Sequence, residues 1–268
     1  MLRHLPAMAM TLALGACAGP SAVTPVTTSA PPAAAARGVE LVWLGQAAFK
    51  ITAPGGQVIV TDPWLDGNPM CPPDHKRIEK ADLILLSHGH FDHTGDIVNV
   101  ARSTGAPVVA VFELASWVEK KGVQNTVGMN IGGTVNVAGL GITMTPAIHS
   151  SSITENGTTE YLGLAAGFVV KLEDGRKIYY AGDTALFGDM RLIGEMHDPD
   201  VAFLPIGDHF TMGPEAAAMA ARMLAVRQVV PMHYGTFPLL TGTPDALRRL
   251  VEPHGIDVLV LKPGETAQ

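Results

Sequence analysis

Two cysteines, Cys17 and Cys71, are all that 268 residues provide. That is too few for a disulfide framework or a cysteine-rich zinc module, so any metal must be held by histidine and carboxylate. Positive charge is also scarce. Eighteen Lys and Arg stand against 25 Asp and Glu, the formal charge is -7, and no basic run is longer than Lys120-Lys121. Nothing in that balance would release counterions from a phosphate backbone, so nucleic acid is not expected as a partner. The apolar stretch at residues 5–16 falls well short of the ~20 residues that a membrane-spanning helix requires. What the chain has in quantity is apolar content, 47%. That is ample for a substantial core in one large domain or two small ones.

The first residues have the shape of an export signal: a short basic start, the apolar stretch, then Leu14-Gly15-Ala16-Cys17. The Leu-Gly-Ala-Cys ending resembles a bacterial lipobox, in which the cysteine becomes the lipidated first residue. Ala18 in the next position suggests the outer membrane in a Gram-negative host. Residues 1–16 are therefore expected to be a signal peptide. Residues 17–38, dominated by Ala, Pro, Ser, Thr and Val, read as a flexible tether that cannot pack. Residues 39–268 are expected to form the folded domain, exported and lipid-anchored through Cys17 on the periplasmic side of the cell envelope, with an ordinary secretory signal as the alternative.

Short β-prone runs at 39–44, 48–52 and 58–61 predict a meander, with Ala53-Pro54-Gly55-Gly56 as a turn. The continuous apolar run at 83–86 predicts a strand buried on both faces. Helices fit 96–103 and 113–121, with a strand at 108–111 between them. The second half repeats this grammar, with strands at 134–137, 142–145, 168–172, 177–181, 201–204, 229–231 and 258–261. Its helices fit 185–196, 214–225 and 244–251, and Pro214 and Pro244 suit a first helical turn. Strands and helices mixed in both halves imply an α+β class, two packed sheets covered by helices.

Ser87-His88-Gly89-His90-Phe91-Asp92-His93-Thr94-Gly95-Asp96 follows the buried strand directly. Three imidazoles and a carboxylate within six residues suit zinc, which takes neutral imidazole nitrogen and carboxylate oxygen. Gly89 is expected to give the chain an unusual backbone conformation between the first two ligands. A lone histidine on a strand is usually a core residue; four ligand-type residues this close are not.

His-x-His-x-Asp-His resembles the signature of the metallo-β-lactamase superfamily. The isolated His149 in Thr145-Pro146-Ala147-Ile148-His149, Asp183 in Gly182-Asp183-Thr184 and His233 in Pro231-Met232-His233-Tyr234 match its remaining motifs in order. Trp43-Leu44-Gly45, Thr61-Asp62-Pro63-Trp64, Leu204-Pro205-Ile206-Gly207-Asp208, Phe210-Thr211-Met212-Gly213-Pro214 and Lys262-Pro263-Gly264-Glu265 look like a narrower bacterial and archaeal family of metal-dependent hydrolases. That family is similar to the L-ascorbate-6-phosphate lactonases and, more distantly, to phospholipases D acting on N-acyl phosphatidylethanolamines. Where its members commonly carry Gly-His, this chain has Gly45-Gln46. Gln46 keeps hydrogen bonding but cannot exchange a proton near neutral pH.

The resemblance implies the αβ/βα sandwich fold and two zinc ions per chain. His88, His90 and His149 would hold one, Asp92, His93 and His233 the other, with Asp183 between them. Such a pair brings water towards ionisation near neutral pH and polarises the substrate oxygen, which implies hydrolysis of a small-molecule ester, lactone or phosphodiester. Asp92 and His209 are the candidate catalytic residues, His209 for the leaving-group proton. Asp62 and Asp208 are candidates for orienting ligand histidines. His4, His75, His197, His254 and Cys71 carry no assigned role. Two alternatives stay open: the di-iron oxidoreductase branch of the fold, which usually has Glu in place of His90, and a tethered binding protein without turnover.

Overall fold

A computed structural model describes residues 38–268; the expected signal, tether and Cys17 lie outside the described residues. Two seven-stranded sheets form the sandwich. The first contains β1 (Glu40–Trp43), β2 (Phe49–Thr52), β3 (Val58–Thr61), β4 (Leu83–Leu85), β5 (Val108–Val111) and β6 (Thr126–Met129). The second contains β7 (Thr134–Val137), β8 (Leu140–Pro146), β11 (Ala166–Lys171), β12 (Lys177–Tyr180), β13 (Val201–Pro205), β14 (Gln228–Met232) and β15 (Asp257–Val258). A separate hairpin, β9 (Ser152–Glu155) and β10 (Thr158–Tyr161), stands between β8 and β11 in the chain, and β16 (Thr266–Ala267) closes the edge beside β1. The helices are α1 (Phe91–Thr94), α2 (Ile97–Thr104), α3 (Phe112–Lys120), α4 (Met190–His197), α5 (Pro214–Met223) and α6 (Pro244–Val251).

Each sheet pairs antiparallel at one end and parallel at the other. The parallel strands β4 and β5 are buried along their whole length, as their unbroken apolar runs LIL and VVAV require. One apolar cluster joins both sheets, drawing Phe49 and Ile51 from the first and Phe168, Tyr180 and Phe203 from the second. The Phe49 and Phe203 rings cross edge to face at 4.9 Å. A second cluster packs the other face of the second sheet against α4, α5 and α6 through Ile193, Ala217, Ala221 and Leu247. Small alanines on α5 let that helix approach the sheet closely.

Strand direction positions the site. β8 and β12 both run antiparallel to β11, and β13 and β14 run parallel to β12, so the C-terminal ends of all four lie along one edge. The end of β4 is tied to that edge by Ala166, whose N–H donates to the Ser87 carbonyl at 3.0 Å.

Three sequence expectations need correction. The helix expected from 185 begins at Met190, because the Ala185 N–H donates to Ile148 O (3.0 Å) and Thr184 Oγ1 accepts from Ile148 N (3.0 Å). That segment braces the His149 loop instead of coiling. The strand expected at 258–261 is β15, which stops at Val258 after two residues, although Leu259 N still reaches Val229 O at 2.9 Å. Gly89 is not among the residues with positive φ. Its requirement is space: a Cβ there would lie 2.8 Å from Leu162 Cδ1.

Candidate metal centre

Four strand ends deliver the expected ligands to one place. His88 and His90 follow β4, Asp92 and His93 sit on the single-turn helix α1, and His149, Asp183 and His233 follow β8, β12 and β14. The Asp183 Oδ2 atom lies 3.0 Å from the Nε2 of His233, 3.3 Å from that of His93, 3.6 Å from that of His149 and 3.9 Å from that of His88. Two groups of candidate ligand atoms emerge, His88 with His90 and His149, and Asp92 with His93 and His233. Asp183 stands between them.

Asp62 orients both groups. Buried completely, it accepts from Ser87 N (2.7 Å), Ser87 Oγ (2.5 Å), Tyr180 OH (2.6 Å) and His93 Nδ1 (2.8 Å). With its Nδ1–H committed to Asp62, His93 turns Nε2 to the centre beside Asp183, and that nitrogen is the one freed for a metal when its proton leaves. The Ser87 hydroxyl proton goes to Asp62, so its oxygen accepts from His88 Nδ1 at 3.0 Å, which frees His88 Nε2 in the same way. One carboxylate thus fixes which nitrogen of a histidine in each group faces the centre. Asp62 also appears in a third group of possible ligands with His88 and His93. Its four donors identify it as their holder.

A metal fits this donor set. His93 Nε2 and Asp183 Oδ1 are buried without a hydrogen-bond partner, an arrangement that polar groups rarely tolerate unless something else satisfies them. Burial, reinforced by neighbouring imidazoles, pulls His88 well below the ordinary histidine range; burial likewise lowers His90 and His149. These three are neutral at pH 7, the form that binds a cation. For His93 and His233, burial is outweighed by carboxylates: Asp183, Asp92 and Asp62 raise His93 well above its usual value, and Asp183 and Asp92 push His233 up to about 9. The carboxylates respond in kind. Burial opposes their ionisation, yet His93 and His233 hold Asp92 down at about 2 and Asp183 well below the usual range.

The structure also places residues that the motifs alone did not. Gln46, fully buried with φ +53°, carries its Nε2 2.8 Å from both Asp92 Oδ2 and His233 Nε2. Ser87 and Tyr180 were signalled only by adjacency, one residue before His88 and three before Asp183. Asp208 turns back on its own loop, accepting from His209 N at 2.9 Å, and touches no ligand histidine. His209 is exposed, packed edge to face against Phe210 at 4.4 Å. Phe210 faces the cavity that opens onto the centre, whereas His209 is not part of its wall.

The sandwich and its buried histidine–carboxylate centre define a metallo-hydrolase of the β-lactamase type. Residues 57–234 match the Beta-lactamase superfamily domain. A UPF0173 metal-dependent hydrolase of Rubrobacter xylanophilus is 53% identical over 231 residues, covering 85% of this chain and 96% of that protein. The chain belongs to that family of metal-dependent hydrolases. Igni18, a metallo hydrolase from Ignicoccus hospitalis, superposes with a TM-score of 0.76 at 39% identity over 85% of this chain and 97% of its own. CmlA, a diiron β-hydroxylase from Streptomyces venezuelae, matches at a TM-score of 0.65 and 14% identity, over 86% of this chain and 54% of its own, and shows the fold alone.

Proposed function

We propose that the centre holds two zinc ions and that the enzyme hydrolyses a small ester, lactone or phosphodiester. His88, His90 and His149 would hold the first ion, Asp92, His93 and His233 the second, and Asp183 both. The observation that carries this reading is the single carboxylate oxygen of Asp183 set 3.0–3.9 Å from four imidazole Nε2 atoms. Once bound, such a pair supplies Lewis acidity and a water ionised near neutral pH. The chain's own residues do the rest. Asp62, Ser87 and Tyr180 fix which histidine nitrogens face the centre, and the Gln46 amide holds Asp92 Oδ2. Asp92, ionised and lining the cavity, is the proposed catalytic carboxylate. His209, beside Phe210 at the rim, is proposed to serve a leaving group at the mouth.

Metal content of the purified protein, paired with turnover on small esters, lactones and phosphodiesters, tests the reading. About two zinc ions per chain are expected, with turnover abolished in a His88→Ala, Asp183→Ala double variant. Iron in place of zinc, or turnover that survives in the variant, would sink it. Export and lipidation at Cys17 are proposed on the N-terminal sequence pattern. Incorporation of labelled palmitate, lost in Cys17→Ser, is the expected result, and an unlabelled wild type would contradict it.

A further inference from the structure

A cavity of about 600 Å³ leads to the centre, within the range of roughly 300–1,000 Å³ of pockets that enclose one small ligand. Its polar lining is Ser150 and the five proposed ligands His90, Asp92, His149, Asp183 and His233. The remaining wall is Phe91, Phe210, Phe237, Pro238 and Leu239. None of the side chains lining it is Lys or Arg. Phe91, Phe210 and Leu239 are each half or more exposed (59%, 50% and 53%). Large apolar surface left in water around a reactive centre is covered when a matching ligand enters.

The wall is built in advance. Trp64, itself buried, meets Phe91 edge to face at 5.6 Å and stacks on Phe237 at 5.9 Å. The loop carrying Trp64 is pinned by the Asp96 carboxylate, which accepts from Leu65 N at 2.6 Å and Asp66 N at 3.0 Å. Two cavity rings from distant parts of the chain, Phe91 and Phe237, are therefore held in place on Trp64 without waiting for substrate.

Accepting the two-zinc hydrolase reading, on which this inference rests, we propose that the substrate is an uncharged carboxylic ester or lactone whose non-reacting part is alkyl or aryl. A remote phosphate or carboxylate on the substrate would have to leave water for an apolar wall with no cationic partner, at a steep desolvation cost. An alkyl or aryl tail gains from the same wall. In the reaction, the oxygen of water bonds to the acyl carbon and the acyl carbon–oxygen bond breaks. The alcohol departs with one proton of that water, leaving the carboxylic acid.

The test uses the zinc-loaded full chain, whose added positive charge gives an anionic tail its best chance. Turnover of 4-nitrophenyl acetate, butyrate and hexanoate is compared with that of 4-nitrophenyl adipate, equal in length to the hexanoate but ending in carboxylate, and of bis(4-nitrophenyl) phosphate. Binding of the inert hexyl 4-nitrophenyl ether and its ω-carboxylate is measured by calorimetry. Each methylene buried against the wall should raise kcat/KM about fourfold. Hexanoate should exceed adipate at least about tenfold, with the same preference between the ethers. Phe210→Lys, at a half-exposed position that tolerates charge, should shrink that preference about tenfold or more. Adipate or the phosphodiester turned over as well as hexanoate would overturn the substrate class while leaving the hydrolase reading intact. If the ethers bind with the expected preference but nothing in the panel is hydrolysed, the hydrolase reading fails, and the substrate assignment with it.

Discussion

Replacing Asp62 by asparagine removes one negative charge from the point where both ligand groups are anchored. The wild-type carboxylate accepts four hydrogen bonds, three of them at Oδ2. Asparagine offers one oxygen; placed where Oδ2 stands, it sets its NH2 against the Ser87 N–H. A buried donor left without an acceptor costs about 1–3 kcal/mol, which for a domain of this size lowers the melting temperature by about 2–12 °C. Alanine would orphan all four donors and is expected to unfold the domain, which is why asparagine is the informative change. The larger effect falls on metal binding, because His93 loses the anion that holds its Nδ1–H and His88 is held only through Ser87. Loss of such an orienting partner weakens affinity about 10- to 100-fold, or ~1.4–2.7 kcal/mol. The ion held by His93 should suffer that full loss and the ion held by His88 less. Zinc titration against a chromophoric chelator, with melting followed by circular dichroism, reads both quantities. A variant that folds normally and binds both ions within about twofold of wild type would refute the assignment of Asp62 as the common anchor.

Zinc binding at pH 7 should release about two protons, one each from His93 and His233, since their raised values leave both protonated in the metal-free protein. The sign follows: affinity falls as pH drops below the His233 value of about 9. Calorimetry in buffers of different ionisation enthalpy measures the proton count, and a count of zero contradicts it. Gln46→Leu removes the donor to Asp92 Oδ2 and should weaken the second ion about tenfold while sparing the first; equal weakening of both would place Gln46 elsewhere. Cys71 is buried, and burial pushes its thiol up to about 11. Its alkylation at pH 8 should run about 100-fold slower than that of an ordinary thiol, and rapid labelling of the native protein would contradict the packing around it.

The ligand set was legible because its residues come as chemistry rather than as shape. His88, His90, Asp92 and His93 crowd one stretch, and His149, Asp183 and His233 each follow an apolar run that reads as a strand. Strands with continuous apolar runs, such as 58–61 and 108–111, were found with their true limits. The β9–β10 hairpin was not. Its residues are nearly all polar and exposed, so no periodicity marks it, and Asn156-Gly157, its turn, lacks the flanking apolar runs that would signal a hairpin. Both residues have positive φ, +50° and +77°, the conformation that a tight two-residue hairpin turn demands. β16 is two residues long and exists only because β1 offers it an edge. The Asp62 network was half legible: the residue was singled out, but its four donors come from two other segments, one carrying Ser87 and His93 and one carrying Tyr180, that only the folded chain brings to it. The apolar cavity wall was invisible for the same reason, since Phe91, Phe210 and Phe237 lie 27 or more positions apart in sequence.

The most direct measurement is anomalous scattering from a crystal of the purified protein, recorded on both sides of the zinc absorption edge. Two zinc peaks are expected, one about 2.0–2.2 Å from the ligand atoms of His88, His90 and His149 and the other at the same distance from those of Asp92, His93 and His233, with Asp183 between them. A single peak, a signal at the iron edge instead, or ions bound away from Asp183 would contradict the two-zinc reading.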